Sequence, residues 1–151
     1  MTATPTTKRT PTVSLLAKLV SISKATRTLM GYKLAEIGIH PGQDELLLTL
    51  ARDTPQSVTH LADVLKVRAP SVSRMLDRLA ESGLVERVPD ATDDRRTVVR
   101  ITPAGTQMQC RIREVWQALE NEFQEMPDRD RAQKDLGLVK DVLSTRLRRL
   151  R

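Results

Sequence analysis

Arginine and hydroxyl side chains recur along one short segment of the chain at the spacing of a helix face. Arg74 and Arg78 lie four residues apart, Ser71 and Ser73 come just before them, and Asp77 shares their face. The apolar residues between them face the opposite way; these are Val72, Met75 and Leu76. A guanidinium group can bind both acceptors of a guanine base, and a hydroxyl can reach a base or a phosphate. This face is therefore typical of a helix that reads the major groove of duplex DNA.

Three residues at the N-terminal end of the same segment extend this candidate interface. Arg68, Ala69 and Pro70 precede or begin the predicted helix, and this end of such a helix normally approaches the base edges. Backbone N–H groups left without partners at a helix N-terminus also favour a phosphate. The alternative interpretation is that Arg74 and Arg78 only solvate the surface of a helix.

A second basic pair, Arg95 and Arg96, lies in the polar stretch of residues 90–96. At the tip of a hairpin, two such arginines suit insertion into a narrow minor groove, where negative potential is focused. The acids of this stretch would be repelled by phosphate, so we expect at least one of them to pair with an arginine. The alternative is a solvated turn with incidental charges.

Apolar periodicity predicts the elements that position these residues. We expect helices at residues 14–37, from 41 onward, and at 57–65, 69–82, 103–126 and 128–150. Pro41 would stand at the first position of the second helix, and Gly38 and Gly83 would end the first and fourth. Between the fourth and fifth helices the period changes to two, which predicts strands at 84–88 and 97–101.

Two short helices followed at once by a hairpin predict a winged helix-turn-helix, so the expected fold is mainly α with a small β-hairpin wing. Residues 1–13 have no periodicity and are interpreted as a flexible N-terminal arm. Residues 39–102 would form the DNA-binding domain. Residues 14–38 and 103–151 carry more apolar surface than that small core can cover, which favours helical dimerisation around it. Two-fold pairing would set two recognition helices about one DNA turn, roughly 34 Å, apart.

Composition fits a nucleic-acid partner without locating the contact surface. The 151 residues include 25 Lys and Arg against 19 Asp and Glu, a formal charge of +6. Only three aromatic residues are present, Tyr32, Trp116 and Phe123, which disfavours the stacking used to bind single strands. No apolar run approaches the roughly 18 residues of a membrane span, so we expect a cytoplasmic protein with no membrane contact.

Residues for catalysis, metal binding or redox chemistry are sparse. The chain has no glycine-rich phosphate loop, nucleophile motif or metal-ligand cluster, and His40 and His60 are isolated from each other. We therefore expect no catalytic residue, no metal and no cofactor. The single cysteine, Cys110, is expected to be a small buried side chain; a redox-responsive repressor that pairs it with a second copy is the alternative.

Four stretches together resemble the MarR family of transcriptional regulators, and the resemblance extends over about residues 14–150. The stretches are residues 67–79, 82–87, 93–96 and 99–105. The resemblance implies a winged-helix core, a dimer interface made from the first and last helices, and a pseudo-palindromic operator. It also implies a repressor that a small molecule releases, with Tyr32, His40 and Trp116 as candidate effector-binding residues.

The wing can be aligned with the family pattern in two registers. With Asp93 as the family acid, Arg95 is the arginine that enters the minor groove; with Asp94, that residue is Arg96. We favour Arg95, because this register needs no deletion in the hairpin. A different class of function, a winged helix that binds proteins instead of DNA, stays open at this point.

Overall fold

The structure, a computed structural model, describes residues 14–93 and 95–150. The expected arm at residues 1–13 and the alternative wing acid Asp94 lie outside the described residues. The helices are α1 (Ser14–Ala35), α2 (Gln43–Thr49), α3 (Val58–Leu65), α4 (Ala69–Glu81), α5 (Pro103–Glu122) and α6 (Arg129–Arg148), and the strands are β1 (Val85–Pro89) and β2 (Thr97–Ile101). This mainly helical chain with one antiparallel hairpin confirms the predicted fold class.

The turn between α1 and α2 is longer than the sequence predicted. Gly38 has φ 77, as expected of a residue that ends a helix, but α1 already stops at Ala35 rather than at residue 37. Pro41 lies in the turn and is not the first residue of α2. The helix begins later because Gly42, with φ 96, donates its N–H to the carboxylate of Asp44 at 2.8 Å.

The helix-turn-helix is formed by α3 and α4. Ser57 caps α3 by accepting a hydrogen bond from the His60 N–H at 3.1 Å. Lys66 ends α3 in the left-handed conformation, with φ 58. Pro70 lies in the first turn of α4, and Gly83, with φ 70, follows its end, as the sequence predicted.

The hairpin pairs β1 with β2 in an antiparallel register that sets Arg87 opposite Val99 and Glu86 opposite Arg100. The first strand begins at Val85, one residue later than predicted. A single residue outside the hairpin, Gln56, extends the sheet by exchanging two backbone hydrogen bonds with Val99, at 2.9 and 2.8 Å. Sequence patterning did not predict this third segment, because one residue shows no alternation.

The core lies between α2, α3, α4 and the hairpin. Predicted core positions that are buried comprise Leu46, Leu47, Leu50, Leu61, Ala62, Val72, Leu76 and Leu79. Two other predicted core residues, Leu65 and Met75, are only half buried. The apolar core of the helix-turn-helix is therefore formed mainly by the eight buried residues.

The base of the hairpin is tied to the start of α5. Thr102 donates its hydroxyl to the Gly83 carbonyl at 2.7 Å, and the Gly105 N–H donates to the same hydroxyl oxygen at 3.0 Å. A Cβ on Gly105 would lie 2.0 Å from the Leu84 carbonyl oxygen, so this approach requires glycine. The threonine and the glycine thus join the wing to the following helix.

A buried glutamine on α5 holds the end of α2. The Gln109 side-chain amide donates to the carbonyls of Leu47 at 2.6 Å and of Leu50 at 2.8 Å. Carbonyls at the end of a helix have no partner within that helix, and leaving them buried without a donor is costly. Gln109 therefore gives both carbonyls a side-chain donor, in addition to the Leu50 N–H that donates to the Leu47 carbonyl at 3.2 Å.

The chain separates into two compact units, residues 1–112 and 113–151. In the second unit, α5 ends at Glu122 and not near Met126 as predicted; a turn follows, and Arg129 pairs with Glu120. The division into a dimerisation region and a DNA-binding domain stays a prediction. Within the described residues, no helix is long and apolar enough to cross a membrane.

Candidate nucleic-acid interface

The outer face of α4 carries the polar residues that the sequence singled out. Arg74 and Arg78 are exposed, and Ser71 and Ser73 are half buried beside them. They lie opposite the buried apolar face because helical periodicity brings residues three and four apart to one side. The sequence-predicted reading face is therefore present as one surface.

The N-terminal end of α4 offers fewer backbone donors than expected. Arg68, Ala69 and Pro70 are exposed there. The N–H groups of Ser71 and Val72, however, both donate to the Arg68 carbonyl, at 2.9 and 3.2 Å, and proline has no N–H. A phosphate at this end would be bound mainly by side chains.

An arginine of the hairpin contacts α4 on its polar face. Arg87 donates from Nη2 to the Asp77 carboxylate at 2.7 Å and to the Ser73 hydroxyl oxygen at 3.3 Å. Arg87 is not among the DNA contacts predicted from the sequence. Strand alternation was the available signal, since it places Arg87 on the same face as the buried Val85.

Hydrogen bonds from backbone and side chain to two carboxylates shape the wing. Asp90 accepts from the Thr92 N–H at 2.9 Å and from its hydroxyl at 2.8 Å, and Asp93 accepts from the Arg95 N–H at 3.0 Å. The Thr92 N–H, its hydroxyl and the nearby Arg96 charge lower the pKa of Asp90 below its usual value. The carboxylate that forms this turn therefore stays ionised at neutral pH.

Arg95 and Arg96 are both exposed at the wing tip. We expected an acid of the wing to fix one of them by an ion pair. Among the described residues, no carboxylate lies within 4 Å of either guanidinium. Asp90 and Asp93 instead accept hydrogen bonds from Thr92 and from the Arg95 N–H, so these two carboxylates hold the loop rather than the arginine side chains.

Comparison with known proteins finds similarity to one family. A model described as the MarR family matches residues 39–98, which run from the turn before α2 into β2. MarR from Salmonella typhimurium is 34% identical over 92 residues, 60% of this chain and 63% of that protein. A crystal structure of a MarR mutant from E. coli complexed with operator DNA aligns with TM-score 0.75 and 25% identity, over 89% of this chain and 99% of that one. The chain is thus similar to MarR proteins in sequence and in fold.

Another protein of similar sequence is the HTH-type transcriptional repressor YetL from Bacillus subtilis, 30% identical over 95 residues, 62% of this chain and 57% of that protein. The chain spans about half to just under two thirds of the length of the curated relatives it matches. The predicted resemblance to the MarR family is confirmed.

The candidate effector-binding residues are all exposed. Tyr32, on α1, is 73% exposed, and His40 is exposed in the turn that follows. Trp116, in the second unit, is 40% exposed. A depression of about 690 Å³ at the start of α6 is lined by mostly charged residues, and none of these three is among them.

The prediction that Cys110 is a small buried side chain is wrong, because this cysteine is exposed. Its neighbour Gln109 takes the buried position on this part of α5. Within the described residues, no group of three or more metal-ligating side chains is brought together.

Proposed function

We propose that this chain is a homodimeric transcriptional repressor that binds double-stranded DNA at a pseudo-palindromic operator. The observation that carries the proposal is the exposed arginine face of α4 in the same compact unit as a hairpin that exposes Arg95 and Arg96 at its tip. Operator DNA in the crystal structure of the E. coli relative supports it. In this role α4 lies in the major groove, and the wing enters the adjacent minor groove.

Each proposed contact follows from the chemistry of its side chain. Arg74 is assigned to a guanine, and the hydroxyls of Ser71 and Ser73 to a base or a phosphate. The remaining proposed DNA contacts are Arg68, Ala69, Pro70 and Arg78 on α4, with Arg95 or Arg96 in the wing.

Duplex selection tests the DNA-binding function. Fragments retained from a genomic library should share a two-fold related element with half-sites about 10 base pairs apart. Affinity should fall linearly on logarithmic axes as salt rises, with a slope of about −0.9 for each neutralised phosphate. Arg95→Ala should weaken binding to every duplex and reduce the slope by about one.

Arg131→Ala is the control, because it removes the same charge from an exposed side chain on α6. If Arg95→Ala keeps the wild-type slope while Arg96→Ala lowers it, the second wing register is correct. Retention of no duplex by the wild type would refute the proposed function. It would favour the alternative, a winged helix that binds proteins.

Apolar side chains on the first and last helices support a homodimer. In α1, Leu15, Leu16 and Ile22 are at least half exposed. In α6, Leu136, Leu143 and Leu147 recur at helical spacing and are 48–62% exposed, and Leu150, just beyond the helix, is 83% exposed. Helices that expose so much apolar surface in a single chain usually bury it against a partner.

Sedimentation tests the dimer. The wild type should sediment at twice the 17.0 kDa mass of one chain. Leu143→Glu should weaken association by at least about tenfold, because two-fold symmetry buries two new carboxylates. Gln133→Glu adds the same charge at an exposed polar position of α6 and should leave the dimer intact. A wild type that sediments at the mass of one chain refutes the dimer.

Further parts of the proposal concern location, chemistry and release. The chain acts in the cytoplasm, catalyses no reaction and holds no cofactor. A small molecule would release the operator, and Tyr32, His40 and Trp116 are each a candidate contact because each side chain is exposed. The exposure of Cys110 favours keeping a redox-responsive repressor as a second candidate.

A further inference from the structure

Arg87 connects the hairpin to the groove-facing side of α4. It lies in β1 opposite Val99, and strand alternation puts it on the face of the buried Val85, toward α4. From there one nitrogen, Nη2, reaches both Asp77 Oδ1 and Ser73 Oγ. It also lies 3.5 Å from the backbone carbonyl oxygen of Ser73.

Asp77 is a negative charge near the centre of the face of α4 that also presents Arg74 and Arg78; a second, Glu81, lies at the C-terminal end of the helix. A carboxylate at the position of Asp77 would repel the phosphates of a bound duplex. Arg87 lies 2.7 Å from it and compensates its charge. Both side chains are partly exposed, 32% for Arg87 and 56% for Asp77, and exposed pairs contribute little to folding stability. The pair thus alters the surface charge more than the stability.

The contact with Ser73 orients a hydroxyl group. A serine hydroxyl has one hydrogen to donate and two lone pairs that accept. Arg87 occupies one lone pair at 3.3 Å. The hydroxyl hydrogen can then be donated to an acceptor on a base or a phosphate.

We propose that Arg87 is a positioning residue of the DNA interface, which compensates the Asp77 carboxylate and presents the Ser73 hydroxyl as a donor. The inference rests on the proposed DNA-binding function. Arg87 acts through its two neighbours on α4 and itself contacts no DNA. It is therefore distinct from the arginines assigned to bases and to the minor groove.

A double-mutant cycle with Asp77→Asn tests this role on the selected duplex. Arg87→Ala should weaken binding about fivefold, because it leaves an uncompensated carboxylate beside phosphate. In the Asp77→Asn background, the same substitution should change affinity less than about twofold, because no carboxylate is left to compensate. Arg87→Lys keeps the charge and should stay within about twofold of the wild type.

Arg100→Ala is the matched control. Arg100 lies in the paired strand and forms an ion pair with Glu86 at 2.8 Å, so its removal costs the same charge and a similar contact but leaves α4 unchanged. Its affinity for the duplex should stay close to that of the wild type. Thermal unfolding of all variants should shift little.

These measurements distinguish failure of the positioning role of Arg87 from failure of the proposed DNA-binding function. Wild-type affinity in Arg87→Ala overturns the positioning role. The same fivefold loss in the Asp77→Asn background also overturns it, since Arg87 would then contact phosphate directly. A large drop in unfolding temperature on Arg87→Ala assigns a structural role and overturns it as well. If the wild type binds no duplex, the proposed function fails, a result that the cycle itself cannot produce.

Discussion

Arg74→Ala is expected to weaken binding to the preferred duplex by about 1–3 kcal/mol, roughly 5- to 150-fold. The side chain is exposed on α4, and no carboxylate among the described residues lies within ion-pair distance of it. Its two-donor fork is therefore available to a guanine. Binding assays on duplexes that differ at one half-site position should also show relaxed preference at that position.

The control for this loss is again Arg131→Ala, which removes one positive charge without touching α4. It should weaken all duplexes equally and only slightly. If Arg74→Ala instead lowers affinity by the same factor for every base at each half-site position, Arg74 binds phosphate and the base contact is wrong. Unchanged affinity would remove Arg74 from the interface.

Gly105→Ala is expected to destabilise the fold by about 3 kcal/mol, a drop of roughly 6–12 °C in the unfolding temperature. The new Cβ would lie 2.0 Å from the Leu84 carbonyl oxygen and 2.7 Å from Ile101 Cγ1. The nearer atom belongs to the backbone and cannot rotate away. Thermal unfolding followed by circular dichroism measures the change.

Gly31→Ala is the control for this substitution. Its Cβ would meet Pro41 Cγ at 3.7 Å, an ordinary van der Waals contact. Alanine is also the better helix former within α1, so this variant should gain up to about 1 kcal/mol. A Gly105→Ala protein as stable as the wild type would mean that α5 does not approach the hairpin so closely.

Local patterns were sufficient to predict α4 and the hairpin. The apolar positions of α4 repeat at helical spacing, and Gly83 supplies the left-handed residue that ends it. Strand alternation similarly located β2 without error. The interface residues of α4 then follow, because they occupy the face that the core leaves outside.

The end of α5 shows where a pattern continues beyond its helix. Phe123 and Met126 keep the apolar spacing, but both are exposed, and the helix ends at Glu122. Pro127 explains part of the difference, because a proline disfavours helical geometry in the residue before it. Apolar spacing indicates which residues could share one face of a helix, but it does not indicate where the backbone hydrogen bonds of that helix end.

Contacts between distant segments could not be predicted from local patterns. Gln109 binds carbonyls about 60 residues away in the chain, where a sequence offers no periodic signal. The ion pair between Asp77 on α4 and Arg87 on β1 likewise joins residues whose sequence patterns do not indicate a contact. Both cases depend on how elements pack, which is why the exposed arginines could be predicted and the residues that support them could not.

The amide of Gln109 also makes α2 and the first half of α5 mechanically dependent on each other. If the first half of α5 slides, either α2 moves with it or the two carbonyls lose the Gln109 donor, which is costly although the Leu47 carbonyl would keep the Leu50 N–H. Because α2 packs on α4, a movement of α2 would in turn displace the helix that carries Arg74. A displacement of the first half of α5 would thus reach α4 through only two contacts, the Gln109 hydrogen bonds to α2 and the packing of α2 on α4.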